Sequence, residues 1–222
     1  MLNLNPIKVN TINNRYTLLL IALISFILFS PLTTDSNIGR ASFLVLFVFT
    51  ILGVSRSALI NRKNHWHLVV IGCSALFFHL LGVHNSLMHL MSKLIAIIFF
   101  VLAIWQFSVD VFMRSKANMD TLFGSICIYL LIGTVFATIY IILQEVFAHS
   151  FVLSANNVPI KNPFDFYYFS FITLTTTGYG DIIPNNQWAR AFVTIESVTG
   201  LFYLATLVAH LATMMNTTKE SQ

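Results

Sequence analysis

The chain has 222 residues, of which 57% are hydrophobic and only 9% are charged. Because a soluble domain carries about 25% charged residues, this composition excludes an ordinary soluble domain and predicts a membrane protein. The formal net charge of +4 is not a nucleic-acid signal, since the basic residues are scattered along the chain.

Six segments are long and apolar enough to cross a bilayer, which takes about 20 mainly apolar residues. A polar N-terminal segment, residues 1–15, precedes them, and the first apolar run lacks a cleavage site, as is typical of a signal anchor. We therefore predict an all-α membrane protein with six transmembrane helices. In chain order these are Tyr16–Thr33, Ala41–Ile60, Trp66–Val83, Leu87–Val109, Leu122–Phe147 and Trp188–Met215.

A short polar linker, residues 115–121, divides the chain into a four-helix module (16–114) and a second module (122–216), with a tail at 217–222. Lysine and arginine in short loops set the orientation of a membrane protein. A cytoplasmic N-terminus places Lys8, Arg15, Arg56, Arg62, Lys63, Arg114, Lys116 and Lys219 inside, and only Arg40, Lys161 and Arg190 outside. We expect both termini to be cytoplasmic, in a bacterial plasma membrane, and the tail to be too short for a soluble ligand-binding domain.

The histidines near the third and fourth spans and the two cysteines of the chain have no spacing that fixes a metal geometry. His79, His84 and His89 surround the turn between the third and fourth spans, where imidazoles near the outer surface can bind metal or sense pH. Cys73 and Cys127 both lie in apolar segments, and we interpret them as small buried hydrophobes.

Between the last two spans lies Phe164–Thr176, an apolar and aromatic segment that is too short to cross a membrane. A re-entrant half-helix fits, because such a segment is tolerated where protein or water surrounds it. Pro163 and Asp165 favour a helix start there. The sequence Thr-Thr-Thr-Gly-Tyr-Gly-Asp follows at Thr175–Asp181, the signature segment. Its glycines accept positive φ cheaply, so the backbone can alternate and turn its carbonyls to one side.

The signature segment resembles the filter motif of the tetrameric potassium channel superfamily. The resemblance is strongest over residues 122–215, and the sequence from Glu196 to Ala209 is similar to the inner helix of small bacterial ion-channel proteins. The resemblance implies a homotetramer in membrane lipid that conducts K⁺ passively, with K⁺ as the permeant ion and no cofactor. The residues implied to bind K⁺ in the selectivity filter are Thr176, Thr177, Gly178, Tyr179 and Gly180.

The sequence departs from the family motif at Thr177, where the family usually has Val or Ile. Its hydroxyl needs a partner when buried. Either a local backbone carbonyl supplies that partner, or the threonine softens the filter and weakens its selectivity. The alternative function is therefore a weakly selective monovalent cation channel. Ile172 stands where some relatives place a buried glutamate, so a carboxylate-based inactivation device is not expected there.

The resemblance also implies a supporting role for several residues around the filter. In some relatives the carboxylate matching Asp181 bonds an aromatic donor on the pore helix, here Tyr168; alternatively Tyr168 and Phe169 only pack behind the filter. Glu196 lies within a span, where a carboxylate is costly, and serves either structure or pH sensing. Gly200 is a hinge or a close-packing point. The residues expected to line the pore are Leu201, Leu204, Val208 and Ala212.

A voltage sensor needs regularly spaced arginines, and the fourth span contains only Lys93, one turn after His89. No acidic residue of the first three spans offers Lys93 a counter-charge, so it is expected to snorkel or to face water between helices. We predict little or no voltage dependence. An active transporter would need four loop repeats in one chain, and no nucleophile, metal cluster or phosphate loop indicates an enzyme.

Overall fold

The computed structural model describes residues 15–29, 48, 51–52, 66–82, 85–113 and 119–220. These ranges are mostly helical, with a short pair of strands. The helices are α1 (Arg15–Phe29), α2 (Trp66–Leu81), α3 (Ser86–Phe112), α4 (Met119–Val146), α5 (Pro163–Leu174) and α6 (Gln187–Glu220). The strands are β1 (Phe151–Leu153) and β2 (Ile182–Pro184).

Three of these helices, α3, α4 and α6, are long and apolar enough to cross a membrane. Helices α1 and α2 are apolar but shorter, with 15 and 16 residues. In position, these five helices coincide with five of the six spans predicted from the sequence. The remaining span, Ala41–Ile60, lies outside the described residues apart from positions 48, 51 and 52.

Helix α4 is the centre of the described core and packs against α1, α3, α5 and α6. The hydroxyls of two buried threonines in α4, Thr134 and Thr138, each donate to a carbonyl one turn earlier. Thr134 Oγ1 lies 2.9 Å from the carbonyl oxygen of Leu130, and Thr138 Oγ1 lies 2.8 Å from that of Thr134. The helix therefore buries polar side chains at low cost.

A small antiparallel sheet, which the all-α prediction missed, closes the loop around α5. Strand β1 pairs with β2 in the register Phe151↔Pro184, Val152↔Ile183 and Leu153↔Ile182. The two strands flank α5 and the signature segment in the chain, so their pairing ties the two ends of this loop together. Strands of three residues are too short for the alternating pattern by which a strand is recognised in a sequence.

Helix α3 is joined to α4 of the second module directly near its start and through α1 near its end. Near the start of α3, Lys93 forms an ion pair with Glu145, near the end of α4. Near the end of α3, Asp110 Oδ2 accepts a hydrogen bond of 2.6 Å from the hydroxyl of Tyr16 in α1. Tyr16 also reaches α4, since its carbonyl accepts a contact of 3.7 Å from Sγ of Cys127. Helices α1, α3 and α4 thus form one packed unit.

Candidate functional site

Helix α5 begins at a residue pattern that supplies each group a helix start requires. Asn162 is the N-cap, and its Oδ1 accepts a hydrogen bond of 3.1 Å from the backbone N of Phe164. Pro163 occupies the first turn, where its missing N–H costs nothing. Asp165 adds a negative charge at the positive end of the helix dipole. Burial, and then the nearby charge of Asp181, raise the pKa of Asp165.

The helix ends two residues before the predicted end at Thr176. Its last residue is Leu174, Thr175 is the C-cap, and Thr176 already has a φ of 58°. A positive φ in a non-glycine residue cannot continue a right-handed helix. The chain therefore leaves the helix at Thr175, where the signature segment begins.

Every second residue of the signature segment has a positive φ. The angles are 58° at Thr176, 49° at Gly178 and 76° at Gly180, whereas Thr177 and Tyr179 between them are not in that region. Alternation of this kind turns successive carbonyl oxygens to the same side of the chain. The sequence predicted it for the two glycines but not for Thr176, where a side chain makes the conformation more costly.

The first half of the signature segment is folded back onto the last turn of α5. The carbonyl oxygen of Ile172 accepts hydrogen bonds from the backbone N of Thr177, at 2.8 Å, and of Gly178, at 3.1 Å. Thr176 N donates to the carbonyl of Thr173 at 3.0 Å. These bonds use carbonyls that the end of a helix leaves free. The position of α5 therefore fixes the position of the signature segment.

The hydroxyl of Thr177 finds its partner in a neighbouring threonine. Its Oγ1 lies 3.0 Å from Oγ1 of Thr175, which in turn donates to the carbonyl of Phe171 at 2.7 Å. Because the Thr175 proton is used in that bond, Thr177 is the donor to Thr175. A backbone carbonyl, one of the two alternatives considered for Thr177, is thus not its direct partner, although the Thr175 hydroxyl that it contacts donates to one.

Asp181 joins three parts of the loop. Its Oδ2 accepts a hydrogen bond of 2.8 Å from the hydroxyl of Tyr168, and its Oδ1 accepts one of 3.0 Å from the backbone N of Ile182. Its carbonyl accepts from Ser154 N at 2.8 Å. The bond from Tyr168 is the one expected from the sequence, and it raises the pKa of Tyr168 to about 12. The hydroxyl therefore keeps its proton and remains a donor at neutral pH.

Phe169 points to a different place from Tyr168 and does not share a layer with it. It packs against Tyr140 of α4 and Phe151 of β1, with ring centroids at 5.6 and 5.4 Å. Phe166 joins the same cluster through Phe151 at 5.7 Å. Two adjacent residues of α5 thus have separate roles. Tyr168 holds the outer end of the signature segment, and Phe169 anchors α5 in the aromatic core.

Glu196 is fully buried where α4, α5 and α6 meet. Its Oε2 lies 2.5 Å from the hydroxyl of Tyr140, and its Oε1 lies 2.5 Å from Oγ of Ser170. Ser170 Oγ also lies 2.8 Å from the carbonyl of Gly133. The carboxyl group therefore links α5 to α4 and α6.

Gly200 lies where α6 crosses the end of α5. A Cβ added to it would lie 2.5 Å from the carbonyl oxygen of Leu174, the last residue of α5, and 3.0 Å from its Cδ1. Helix α6 is continuous through this point. The close-packing interpretation of Gly200 thus has direct geometric support.

The four residues expected to line the pore are all exposed on α6. The exposed fraction is 62% for Leu201, 42% for Leu204 and 66% for Val208, and Ala212 is exposed as well. An apolar helix face of this extent is left without a partner in the single chain. Such faces mark surfaces that contact other molecules, lipid or a pore interior.

Lys93 has a counter-charge that the sequence did not reveal. Its partner, Glu145, is 52 residues away in the second module, not in the first three spans. His89 lies one turn before Lys93, with its ring 5.5 Å from that of His79. His84 lies outside the described residues. Within the part of the chain that the structure describes, no three His, Cys, Asp or Glu residues are placed to hold a metal ion.

Sequence reasoning missed four side chains of this site: Asn162, Tyr140, Ser170 and Thr175. Asn162 was detectable, because asparagine before proline and an apolar run is a helix-start pattern. Thr175 adjoins the motif and could have been considered. Tyr140 and Ser170 carry no such local signal, since their role depends on which faces of α4 and α5 meet.

Part of the chain matches a known protein family. Residues 124–217 match the family model described as "Ion channel". The match runs from α4 through α5 and the signature segment and covers most of α6. This segment, which is less than half of the chain, is therefore similar to ion channels, and the apolar helices fit a membrane protein. Comparisons with curated proteins and with solved structures found no match.

Proposed function

We propose that this protein is a potassium-selective channel that conducts K⁺ passively through a pore built by four identical chains. The observation that carries the proposal is the alternating backbone of the signature segment, with positive φ at Thr176, Gly178 and Gly180. Carbonyl oxygens aligned in this way can replace the water shell of a dehydrated K⁺ ion. The proposed ion sites are the carbonyls of Thr176, Thr177, Gly178 and Tyr179, bounded by Gly180.

The exposed surface around the signature segment of the single chain supports an assembly of four copies. A Cβ at Gly178 or Gly180 would meet nothing within 4 Å, and Tyr179 is 72% exposed. One segment supplies only one wall of an ion pathway. In a tetramer the exposed Tyr179 packs between neighbouring segments, and the exposed apolar face of α6 surrounds the cavity below. A wholly apolar cavity wall of this kind can close by dewetting.

The ion pair of Lys93 with Glu145 supports channel activity without strong voltage dependence. Lys93 is the one Lys or Arg in α3, and its charge is held by a carboxylate on α4. A voltage sensor needs several charges that move relative to their counter-charges. Because α3 is joined to α4 of the same chain, we propose that each four-helix module lies beside the second module of its own chain. The distribution of Lys and Arg supports cytoplasmic termini, and the proposed location is a bacterial plasma membrane.

The test is ion flux through purified protein in liposomes under opposed K⁺ and Na⁺ gradients. A selective channel gives a reversal potential near the K⁺ equilibrium value. Gly178→Asp, which adds a charged side chain at a positive φ inside the proposed filter, abolishes the current. Leu87→Ala, at a position on α3 that is 69% exposed, is the matched control and leaves it unchanged.

The substitution Thr177→Val separates the proposed function from its alternative. If the wild type reverses near zero and Thr177→Val moves the reversal potential toward the K⁺ value, the protein is a weakly selective monovalent cation channel. If both reverse near the K⁺ value, the hydroxyl pair of Thr175 and Thr177 is compatible with selectivity. Flux that persists in Gly178→Asp overturns the assignment of the signature segment as the ion pathway.

A further inference from the structure

The geometry around Glu196 points to a role beyond conduction itself. We propose that Glu196 carries its proton and that it forms, with Tyr140 and Ser170, a neutral clamp that positions the pore helix. The clamp joins α4, α5 and α6 through one carboxyl group that is 0% exposed. The effect of the clamp on conduction rests on the proposed channel function, whereas the protonation state of Glu196 does not.

The number of protons available in the clamp fixes the state of Glu196. Three close contacts need donors: Tyr140 Oη to Glu196 Oε2, Ser170 Oγ to Glu196 Oε1, and Ser170 Oγ to the carbonyl of Gly133. In the contact with Gly133, Ser170 must be the donor, because a carbonyl has no proton. A serine hydroxyl has one proton, so the donor between Oε1 and Ser170 must then be the carboxyl group. A protonated Glu196 satisfies all three contacts, and an ionised one leaves one of them without a proton.

Burial and the surrounding groups agree with a neutral carboxyl. The titratable groups that face Glu196 are the phenols of Tyr140 and Tyr129, both on α4. Among the residues that the structure describes, the ion pair found is that of Lys93 with Glu145, and Glu196 has no cation against it. A buried carboxylate without a cation is costly, but a hydrogen-bonded carboxylic acid is not.

The clamp acts on the signature segment through α5. Ser170 lies two residues before Ile172, whose carbonyl holds the backbone N of Thr177 and of Gly178. Loss of the proton from Glu196 would redirect the Ser170 hydroxyl to the carboxylate and release its bond to Gly133. This loosens α5 from α4 directly behind the residues that orient the signature segment. Tyr140, Ser170 and Glu196 are therefore positioning residues, and none of them touches the ion.

Infrared spectroscopy of the purified protein tests the protonation state without any need for conduction. The wild type at neutral pH is expected to show the carbonyl band of a protonated carboxyl group that disappears in Glu196→Gln. If Glu196→Gln instead removes a carboxylate band, Glu196 is ionised and the proposal is wrong. The full-length protein is used in lipid, and Leu201→Ala, on the exposed face of the same helix, is the control that leaves the band in place.

Flux measurements test the positioning role. Glutamine can accept from Tyr140 and donate to Ser170, so Glu196→Gln is expected to conduct like the wild type. Wild-type flux falls as the pH is raised far enough to ionise Glu196, and Glu196→Gln loses this dependence. Glu196→Ala and Ser170→Ala lower the flux at all pH values. A Glu196→Gln protein that keeps the wild-type pH profile overturns the role of Glu196. A wild type that carries no current but shows the infrared band contradicts the channel function and leaves the neutral clamp standing.

Discussion

The substitution Gly200→Ala separates close packing from hinge bending at the crossing of α5 and α6. The added Cβ would lie 2.5 Å from the carbonyl oxygen of Leu174 and 3.2 Å from its carbonyl carbon. These are backbone atoms, so they cannot rotate away as the end of a side chain can. The carbonyl is also the acceptor of a 3.0 Å hydrogen bond from the hydroxyl of Tyr129. Relief of the clash therefore displaces the end of α5 or breaks this bond.

The size of the effect follows from three opposing contributions to the free energy of unfolding. Overpacking of a tight core costs about 1–3 kcal/mol. The better helix propensity of alanine returns about 1 kcal/mol. Loss of the hydrogen bond from Tyr129 costs about 1 kcal/mol more. Gly200→Ala is therefore expected to destabilise the protein by roughly 1–3 kcal/mol.

The assay is reversible unfolding in mixed micelles, followed by tryptophan fluorescence, with flux measured on the same preparations. The matched control is Gly72→Ala in α2, whose added Cβ meets its nearest atoms, at 3.0 and 3.1 Å, in the side chain of Ile51, which can move. We expect a smaller loss there. If Gly200→Ala is as stable as the wild type and changes only how often the channel opens, the packing argument is wrong and Gly200 acts as a hinge.

Two further predictions concern the contact that holds Asp181 and the ion pair that links the two modules. Tyr168→Phe removes the hydrogen bond to the carboxylate of Asp181. We expect it to shift the filter toward a non-conducting state by at most about 1 kcal/mol, roughly fivefold in the equilibrium, which is measured as faster decay of the K⁺ current. An unchanged decay would show that the bond from Ile182 N alone holds this carboxylate. Lys93→Glu places two carboxylates against each other and is expected to lower the stability of the protein. The double variant Lys93→Glu, Glu145→Lys is expected to restore it. A double variant no more stable than the single one would contradict the ion pair as a link between the modules.

Local sequence determined the class of protein and the position of the site. Scarcity of charge and runs of about 20 apolar residues set the membrane helices. The short segment before the signature, headed by Pro163, specified a helix that cannot cross. The glycines at 178 and 180 made the alternating backbone predictable, because only glycine adopts positive φ without a penalty. Each of these signals lies within a few residues of the feature it predicts.

Tertiary structure alone decided the partners of the polar residues. Glu196 meets Tyr140 and Ser170, which are 56 and 26 residues away, and Lys93 meets Glu145 in the other module. Helices that are apolar on every side have no polar face to show which side meets a neighbour, so their rotation cannot be read from periodicity. The contact of Gly200 with Leu174 depends on that same rotation. Only the packing of the helices determines which side chains form these hydrogen bonds and this ion pair.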